Sequence, residues 1–366
     1  MTGGPVGVGI VGAGVISGTY LENLTSFPDV RVLRVADLDT ERAAAQAAKY
    51  GVPQSGTVAE LLDDADVEIV VNLTIPAAHV DVGLAALEAG KHVWAEKPLA
   101  LDRQTGRKLL DRAREKNLRV ASAPDTVLGA ALQTARRAVD EGRIGSPLTA
   151  LALFQVAGPE LWHPAPEFYY QPGGGPLLDM GPYYLTALVH LLGPVRRVTG
   201  AGGRARDTRV VGSGPRAGTE FPVTVPTTVV ALVEFERGSA QLVLSFDSAL
   251  KRTGLVELTG TLGTAVLPDP NRFDEPTRLH LLGRDEPEEL APAGHAASRG
   301  TGALELARAI RAGVPERASG ELAYHVLDTM LAIEESLTRG QSVDVGSSVE
   351  VPPLLPVGWD PYAKTL

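Results

Sequence analysis

The chain has 366 residues, beyond the ~100–200 of a single domain, so two domains are expected. A hydrophobic share of 44% and a charged share of 21% suit a globular chain with a sizeable core. A formal charge of −10 argues against nucleic acid or an anionic membrane held by bulk electrostatics, and the lack of cysteine rules out disulfides, thiol catalysis and zinc–thiolate sites. An anionic small ligand stays open, because local backbone donors can outweigh a distant field. The opening MTGGPVG lacks the basic and long apolar regions of a secretory leader, and no window reaches the ~18 apolar residues of a membrane span. A cytoplasmic protein is expected.

The first third alternates short aliphatic runs with helical stretches. Strands are predicted at 6–12, 30–37, 67–73, 92–96 and 119–122. Between them, helices begin near Thr40, Ala77 and Asp102, and two of them stop at Gly51 and Gly90. Near-continuous apolar strands alternating with helices imply a doubly wound parallel sheet covered on both faces. A helix at about 126–141 leads into a region of longer strands joined by tight turns such as Glu236-Arg237-Gly238-Ser239, which favours a large, mostly antiparallel sheet. Residues 204–224, rich in Arg, Gly and Pro, read as a long mobile loop, and helices return at about 299–313 and 320–338. The expected division falls near residue 125, into domains over 1–125 and 126–366.

Within the first domain, "VGIVGAGVISG" at 8–18 follows a strand and opens a helix. Gly12 permits the tight turn, and Gly14 removes the side chain that would keep a pyrophosphate from the helix N-terminus, where Val15 and Ile16 present their amides. Ser17 stands at the third glycine's position. Asp37, at the end of the second strand, completes the dinucleotide fingerprint about 20 residues on. Its carboxylate suits ribose hydroxyls and repels a 2′-phosphate, so NAD is favoured; Arg34 and Arg42 keep NADP open.

"TIPAAHVDVGLAALEAGKHV" at 74–93, "AEKPLA" at 95–100 and "GGGPLLDMG" at 173–181 come in order after this fingerprint. Together they closely resemble the glucose–fructose oxidoreductase / inositol dehydrogenase family from about residue 6 to 200. The resemblance implies hydride transfer between nicotinamide and a secondary alcohol or ketone of a sugar, cyclitol or glycoside. It places Thr74, Pro76, His79, Glu96 and Lys97 beside the cofactor and makes Lys97 the catalytic lysine. It also suggests a Rossmann domain over 1–125, a C-terminal α/β domain over 126–366 whose open sheet serves substrate binding and oligomerisation, a cis Lys97–Pro98 bond and a homodimer or homotetramer. Many relatives read Asp-x-Gly-x-His where this chain reads Asp179-Met180-Gly181-Pro182-Tyr183, so Tyr183 stands at the histidine position, as in the tyrosine subset of the family. Asp179 and Tyr183 share a helix face. Asp179 would orient a substrate hydroxyl while Tyr183 exchanges its proton. A phenol titrates near ~10, so a neighbouring cation such as Lys97 is needed for it to act as a base near neutral pH.

Trp162 and His163, with Phe168 and Tyr169, lie in a loop able to stack on a sugar ring; such loops also pack internally. Tyr184 competes with Tyr183 but points to another face. His190 reads as a satisfied core histidine, while Asp125 and Arg299 are further residues that could reach substrate. Seven histidines without a carboxylate–histidine cluster give no expectation of a catalytic metal. The alternative to the enzyme is a non-catalytic NAD(P)-binding regulator of the same fold; retention of Lys97, Asp179 and Tyr183 favours the enzyme.

Overall fold

The aliphatic runs of the first third form strands because each is long enough to cross a sheet and too apolar to face water. In the computed structural model, which describes residues 3–295 and 298–366, β1 (Val6–Val11) is buried at every position. It is followed in chain order by α1 (Ser17–Leu24), β2 (Val30–Ala36), α2 (Thr40–Tyr50), β3 (Gln54–Gly56), α3 (Val58–Asp63), β4 (Ile69–Asn72), α4 (His79–Glu88), β5 (His92–Ala95), α5 (Arg103–Glu115) and β6 (Val120–Ser122). The six strands pair in parallel in the order β3-β2-β1-β4-β5-β6. Strand order reverses beside β1, and ligands of such sheets bind outside the carboxyl ends at that switch point. Local chemistry sets the helix ends. Asp39 caps α2 by accepting the Arg42 amide, Gly51 closes it at φ 68°, and Asp102 caps α5 through the Thr105 amide. The short β3 and α3 were not expected; α3 is opened by a Thr57/Glu60 capping box.

The chain continues through α6 (Ala130–Asp140), β7 (Pro147–Gln155), α7 (Gly175–Leu192), β8 (Val195–Gly203), β9 (Thr208–Val210), β10 (Glu220–Pro222), β11 (Thr228–Phe235), β12 (Gly238–Ser245), β13 (Arg252–Gly260), β14 (Gly263–Leu267), β15 (Thr277–Leu281), β16 (Glu288–Leu290), α8 (Thr301–Ala312), α9 (Gly320–Arg339) and β17 (Val343–Asp344). Nine of these strands form one sheet, β16-β15-β14-β13-β7-β12-β11-β8-β17, antiparallel except where β7 meets β12. The turn Glu236-Arg237 joins β11 and β12 as expected. Residues 204–224 are not a loop throughout: β9 and β10 pair antiparallel within them, with Arg209, Val211, Phe221 and Val223 buried. A polar composition concealed this because Arg209 is buried by pairing with Glu160 and Asp247.

Two compact units result. One comprises the chain up to Ala130 with Gly294–Tyr324 and Leu355–Leu366; the other comprises Ala131–Ala293 and His325–Leu354. In the first, α8 lies on the sheet at Trp94, and a Cβ on Gly302 would fall 1.9 Å from the indole. Buried Asp29 ties the late segments down, accepting from Arg308 Nε at 2.8 Å, the Thr365 hydroxyl at 2.6 Å and the Leu366 amide at 3.0 Å. In the second, α7 packs against β7, β11 and β12. Gly181 lets Met330 of α9 approach, its absent Cβ lying 2.9 Å from Sδ.

His190 is in the core, but neither ring nitrogen has a hydrogen-bond partner, so it is not the satisfied histidine expected. Burial, with Arg136 adding to it, pushes its imidazole down to about 3. His325 accepts the Val195 amide at 2.9 Å through Nε2, and burial takes it to about 4 against the opposing effects of Asp328 and Ser347. Both folded values lie below that of an unfolded histidine. Their contribution is therefore complete above about pH 6.5 and is lost as pH falls toward 4 and then 3, at up to about 1.4 kcal/mol per pH unit each. His190→Leu is expected to raise stability by about 1 kcal/mol at pH 7 and to flatten the loss between pH 7 and 5. Denaturant unfolding at both pH values checks this, and an unchanged slope contradicts it.

Candidate active site

β1 must turn sharply to become α1, and Gly12 makes that turn at φ 104°. A Cβ there would lie 2.7 Å from the Leu73 carbonyl carbon and oxygen. The turn is then pinned. The Gly12 amide donates to Ala36 O at 2.8 Å, the Ala13 amide to Asp37 Oδ2 at 2.6 Å, and Ser17 Oγ to Gly14 O at 2.6 Å. Ser17 is thus buried against the loop it closes. Gly14 differs from Gly12: its missing Cβ points into open space, with nothing within 4 Å. No side chain caps the start of α1. An open cradle at an uncapped helix N-terminus fits a pyrophosphate. Val15 and Leu38 are each 98% exposed and Ile75 is 70% exposed. They follow β1, β2 and β4, so they line one edge of the sheet with apolar surface suited to flat rings.

Asp37 stands at that edge. Burial pushes its carboxyl up, but the Arg42 guanidinium and the Ala13 and Asp39 amides outweigh this and hold it below the usual carboxylate range. The turn after β4 is built by Asn72, whose side chain accepts the Thr74 hydroxyl at 2.6 Å and donates to His79 O at 2.9 Å. Pro76 lies in the short 3₁₀ turn that leads into α4. His79 is buried, with Nδ1 2.8 Å from Pro98 O and Nε2 2.9 Å from Thr74 O. Burial pushes its imidazole below its ordinary value, against both carbonyls. His79 therefore joins the turns after β4 and β5, with both ring nitrogens turned to backbone.

Glu96-Lys97-Pro98 follows β5, and the Lys97–Pro98 bond is cis, as the resemblance implied. Glu96 is held at both oxygens: Tyr20 donates to Oε1 at 2.8 Å and the Lys97 amide reaches Oε2 at 3.1 Å. The Trp94 indole donates in turn to the Tyr20 hydroxyl at 3.1 Å. Tyr20 carried no signal in sequence, where nothing sets it apart from the chain's seven other tyrosines. Asp125 is buried and accepts the Gly300 and Gly302 amides at 2.9 and 3.1 Å, which makes it a cap for α8. Burial lifts its carboxyl to about 6 despite the proximity of Arg299.

The remaining candidates belong to the second unit. Asp179 and Tyr183 lie one turn apart on α7, and Pro182 is inside that helix, so the helix neither begins nor ends there. Tyr184 is a structural residue: buried, it accepts the Gly254 amide at 2.8 Å and packs edge-on to Phe154. Trp162, His163, Phe168 and Tyr169 form a continuous ring cluster, with centroids 5.5 Å apart for Trp162–His163, 5.3 Å for His163–Phe168 and 4.0 Å for Phe168–Tyr169. Trp162 and Phe168 are exposed. A buried ionic network braces this loop. Tyr170 donates to Glu160, Arg209 pairs with Glu160 and Asp247, and Asp247 accepts the Thr227 and Thr228 hydroxyls at 2.6 and 2.7 Å. Burial and the Glu160 contact push the Tyr170 phenol well up. Sequence reasoning missed this network because its members are far apart in the chain.

The glycine turn, the Asp37 carboxylate at the end of β2 and the strand order define the first unit as a dinucleotide-binding unit of an α/β protein. Residues 6–123 match the oxidoreductase family with NAD-binding Rossmann fold, and residues 132–266 match the GFO/IDH/MocA C-terminal domain. The chain is 30% identical over 289 residues to the trans-1,2-dihydrobenzene-1,2-diol dehydrogenase of Bos taurus, covering 78% of this chain and 80% of the relative. It is 28% identical over 344 residues to the 1,5-anhydro-D-fructose reductase of Ensifer adhaerens, covering 92% and 98%. A solved levoglucosan dehydrogenase in complex with NADH and L-sorbose has the same fold, with a TM-score of 0.82, 21% identity, and 93% of this chain and 99% of that one covered. The chain belongs to the GFO/IDH/MocA oxidoreductase family. Among the described residues no helix is long and apolar enough to cross a membrane.

Because the space beside Gly14 is open, Gly14→Val is expected to fold normally and lose NAD binding. Calorimetric titration with NAD, alongside thermal melting, checks this. Unchanged NAD affinity contradicts the assignment of the pyrophosphate to this turn.

Proposed function

We propose that the protein is an NAD(P)-dependent dehydrogenase or reductase acting on a secondary alcohol or ketone of a sugar, cyclitol or glycoside. The observation that carries this is the joint presence, on one sheet edge, of the open Gly14 cradle, Asp37 and the Glu96-Lys97-Pro98 turn. The activities named for the diol dehydrogenase and anhydrofructose reductase relatives support it. Gly12, Gly14, Val15, Ile16, Asp37, Thr74, Pro76, His79, Glu96 and Lys97 are assigned to the cofactor, with His79 serving through the two turns it joins. Bound nicotinamide would supply the hydride acceptor or donor.

The proton is assigned to the chain's own groups. Lys97 places a cation by the reacting oxygen, which favours the alkoxide-like charge that develops there. Tyr183 takes the hydroxyl proton in oxidation and returns it in reduction, and Asp179 orients the hydroxyl. Trp162 and His163 offer ring faces to the apolar side of a sugar. Oligomers are proposed to form through the outward face of the large sheet. Val230, Val243, Leu153 and Leu255 lie in register there across β11, β12, β7 and β13, and a dimer or tetramer would cover them. We place the enzyme in the cytoplasm, which suits a chain without cysteine.

A panel of sugars and cyclitols, followed by NADH absorbance, identifies a substrate. On that substrate Tyr183→Phe keeps the ring and removes the proton carrier. Turnover is expected to fall about 10²–10⁴-fold with cofactor affinity unchanged. Lys97→Met should cost a similar amount, and the double variant should fall short of the product of the two losses, because the groups act as one unit. A Phe variant with near-full turnover overturns the role given to Tyr183.

A further inference from the structure

Three side chains lead from the core of the first unit to the turn that carries Lys97. The Trp94 indole donates to the Tyr20 hydroxyl at 3.1 Å, Tyr20 donates to Glu96 Oε1 at 2.8 Å, and Glu96 Oε2 accepts the Lys97 amide at 3.1 Å. Both rings are wholly buried. Chemistry fixes the direction of these bonds. An indole N–H can only donate, so the Tyr20 oxygen accepts from it and the single phenolic proton is left for Glu96. Burial, with the Glu96 and Asp125 carboxylates adding to it, pushes that phenol well above its ordinary value, so it stays a donor.

The rings have little room to move. α8 begins over them: a Cβ on Gly300 would lie 3.6 Å from Tyr20 Cδ1, and one on Gly302 would fall against the indole. Asp125 holds that end of α8 through the Gly300 and Gly302 amides. On either side of Lys97 the backbone is tied as well, the Glu96 amide to Asn72 O at 2.9 Å and Pro98 O to His79 Nδ1 at 2.8 Å. Between these ties the Lys97 amide rests on the Glu96 carboxylate, and that carboxylate takes its orientation from Tyr20.

We propose that Tyr20 is a positioning residue of the reaction: through Glu96 it keeps the Lys97 turn, and so the ammonium that turn carries, where the chemistry needs it. Being wholly buried, the ring acts through Glu96 and not by contact with a ligand. The proposal rests on the role given to Lys97 at the reacting oxygen. A phenylalanine would fill the same space and leave Glu96 Oε1 without this donor, so the effect belongs to one hydroxyl. Misplacing a reacting group by about 1 Å can cost about a hundredfold in rate.

A double-variant cycle tests it. Tyr20→Phe, Lys97→Met and the pair are compared for kcat and KM on the substrate found by the panel, with thermal melting and NADH titration of each. Tyr20→Phe is expected to lower kcat about ten- to a hundredfold and to change KM and NADH affinity less than about threefold. In the Lys97→Met background the same change should cost less than about threefold, because the ammonium it positions is gone. An equal loss in both backgrounds, the mark of a purely structural role, overturns the proposal, as does wild-type kcat in Tyr20→Phe. Full turnover by Lys97→Met overturns the role of Lys97 itself, and this proposal with it. A second measurement needs no substrate. After reductive methylation with isotope-labelled formaldehyde, the Lys97 methyl resonance, identified by its loss in Lys97→Arg, should move in Tyr20→Phe while those of the other lysines stay. A Lys97 resonance that does not move, or that moves along with all the others, overturns the positioning role.

Discussion

The absence of a side chain at Gly12 is the constraint on which the rest of the first unit depends. With φ at 104° and Leu73 carbonyl atoms 2.7 Å from where a Cβ would be, no other residue lets β1 leave the sheet beside β4 and enter α1 at once. That turn brings the start of α1 to the carboxyl ends of the strands. It also places the Ala13 amide on Asp37 and leaves the Gly14 position open. The anion site proposed at this turn is a product of backbone geometry, which is how a chain of net charge −10 can receive an anionic cofactor.

The second unit solves a different problem. Exposed aromatic rings are useful only if the loop carrying them is fixed, and this loop is fixed by buried charge. Arg209 sits between Glu160 and Asp247, with Tyr170 and two threonine hydroxyls meeting the remaining carboxylate oxygens. Such a network gives little net stability when complete, but removing one member leaves a buried charge without its partner. Through Glu160 and Tyr170 it anchors both ends of the segment that carries Trp162 and His163.

Most of the first unit was legible in the sequence because its signals are local. Aliphatic runs marked β1, β2, β4, β5 and β6, and Gly51 and Asp102 marked helix ends. The glycine turn with Asp37 and the Glu96-Lys97-Pro98 motif could be read without knowing any contact. What escaped depends on residues distant in the chain. Nothing in residues 355–366 shows that Thr365 and Leu366 will bind Asp29, and nothing local shows that Arg209 will be buried. Composition took 204–224 for a loop because an arginine buried between two carboxylates looks, in sequence, like any solvated one. The pairing of Asp37 with Arg42 escaped for the opposite reason. Both residues were noted, but which of the two faces solvent is decided by packing.

The central claim is that the carboxyl edge at Gly12, Gly14 and Asp37 holds a nicotinamide dinucleotide. A crystal structure of the protein with NADH tests it most directly. The account predicts the pyrophosphate on the amides at the start of α1, over Gly14, with an adenosine ribose hydroxyl on Asp37. A dinucleotide bound with its pyrophosphate away from that turn would contradict it.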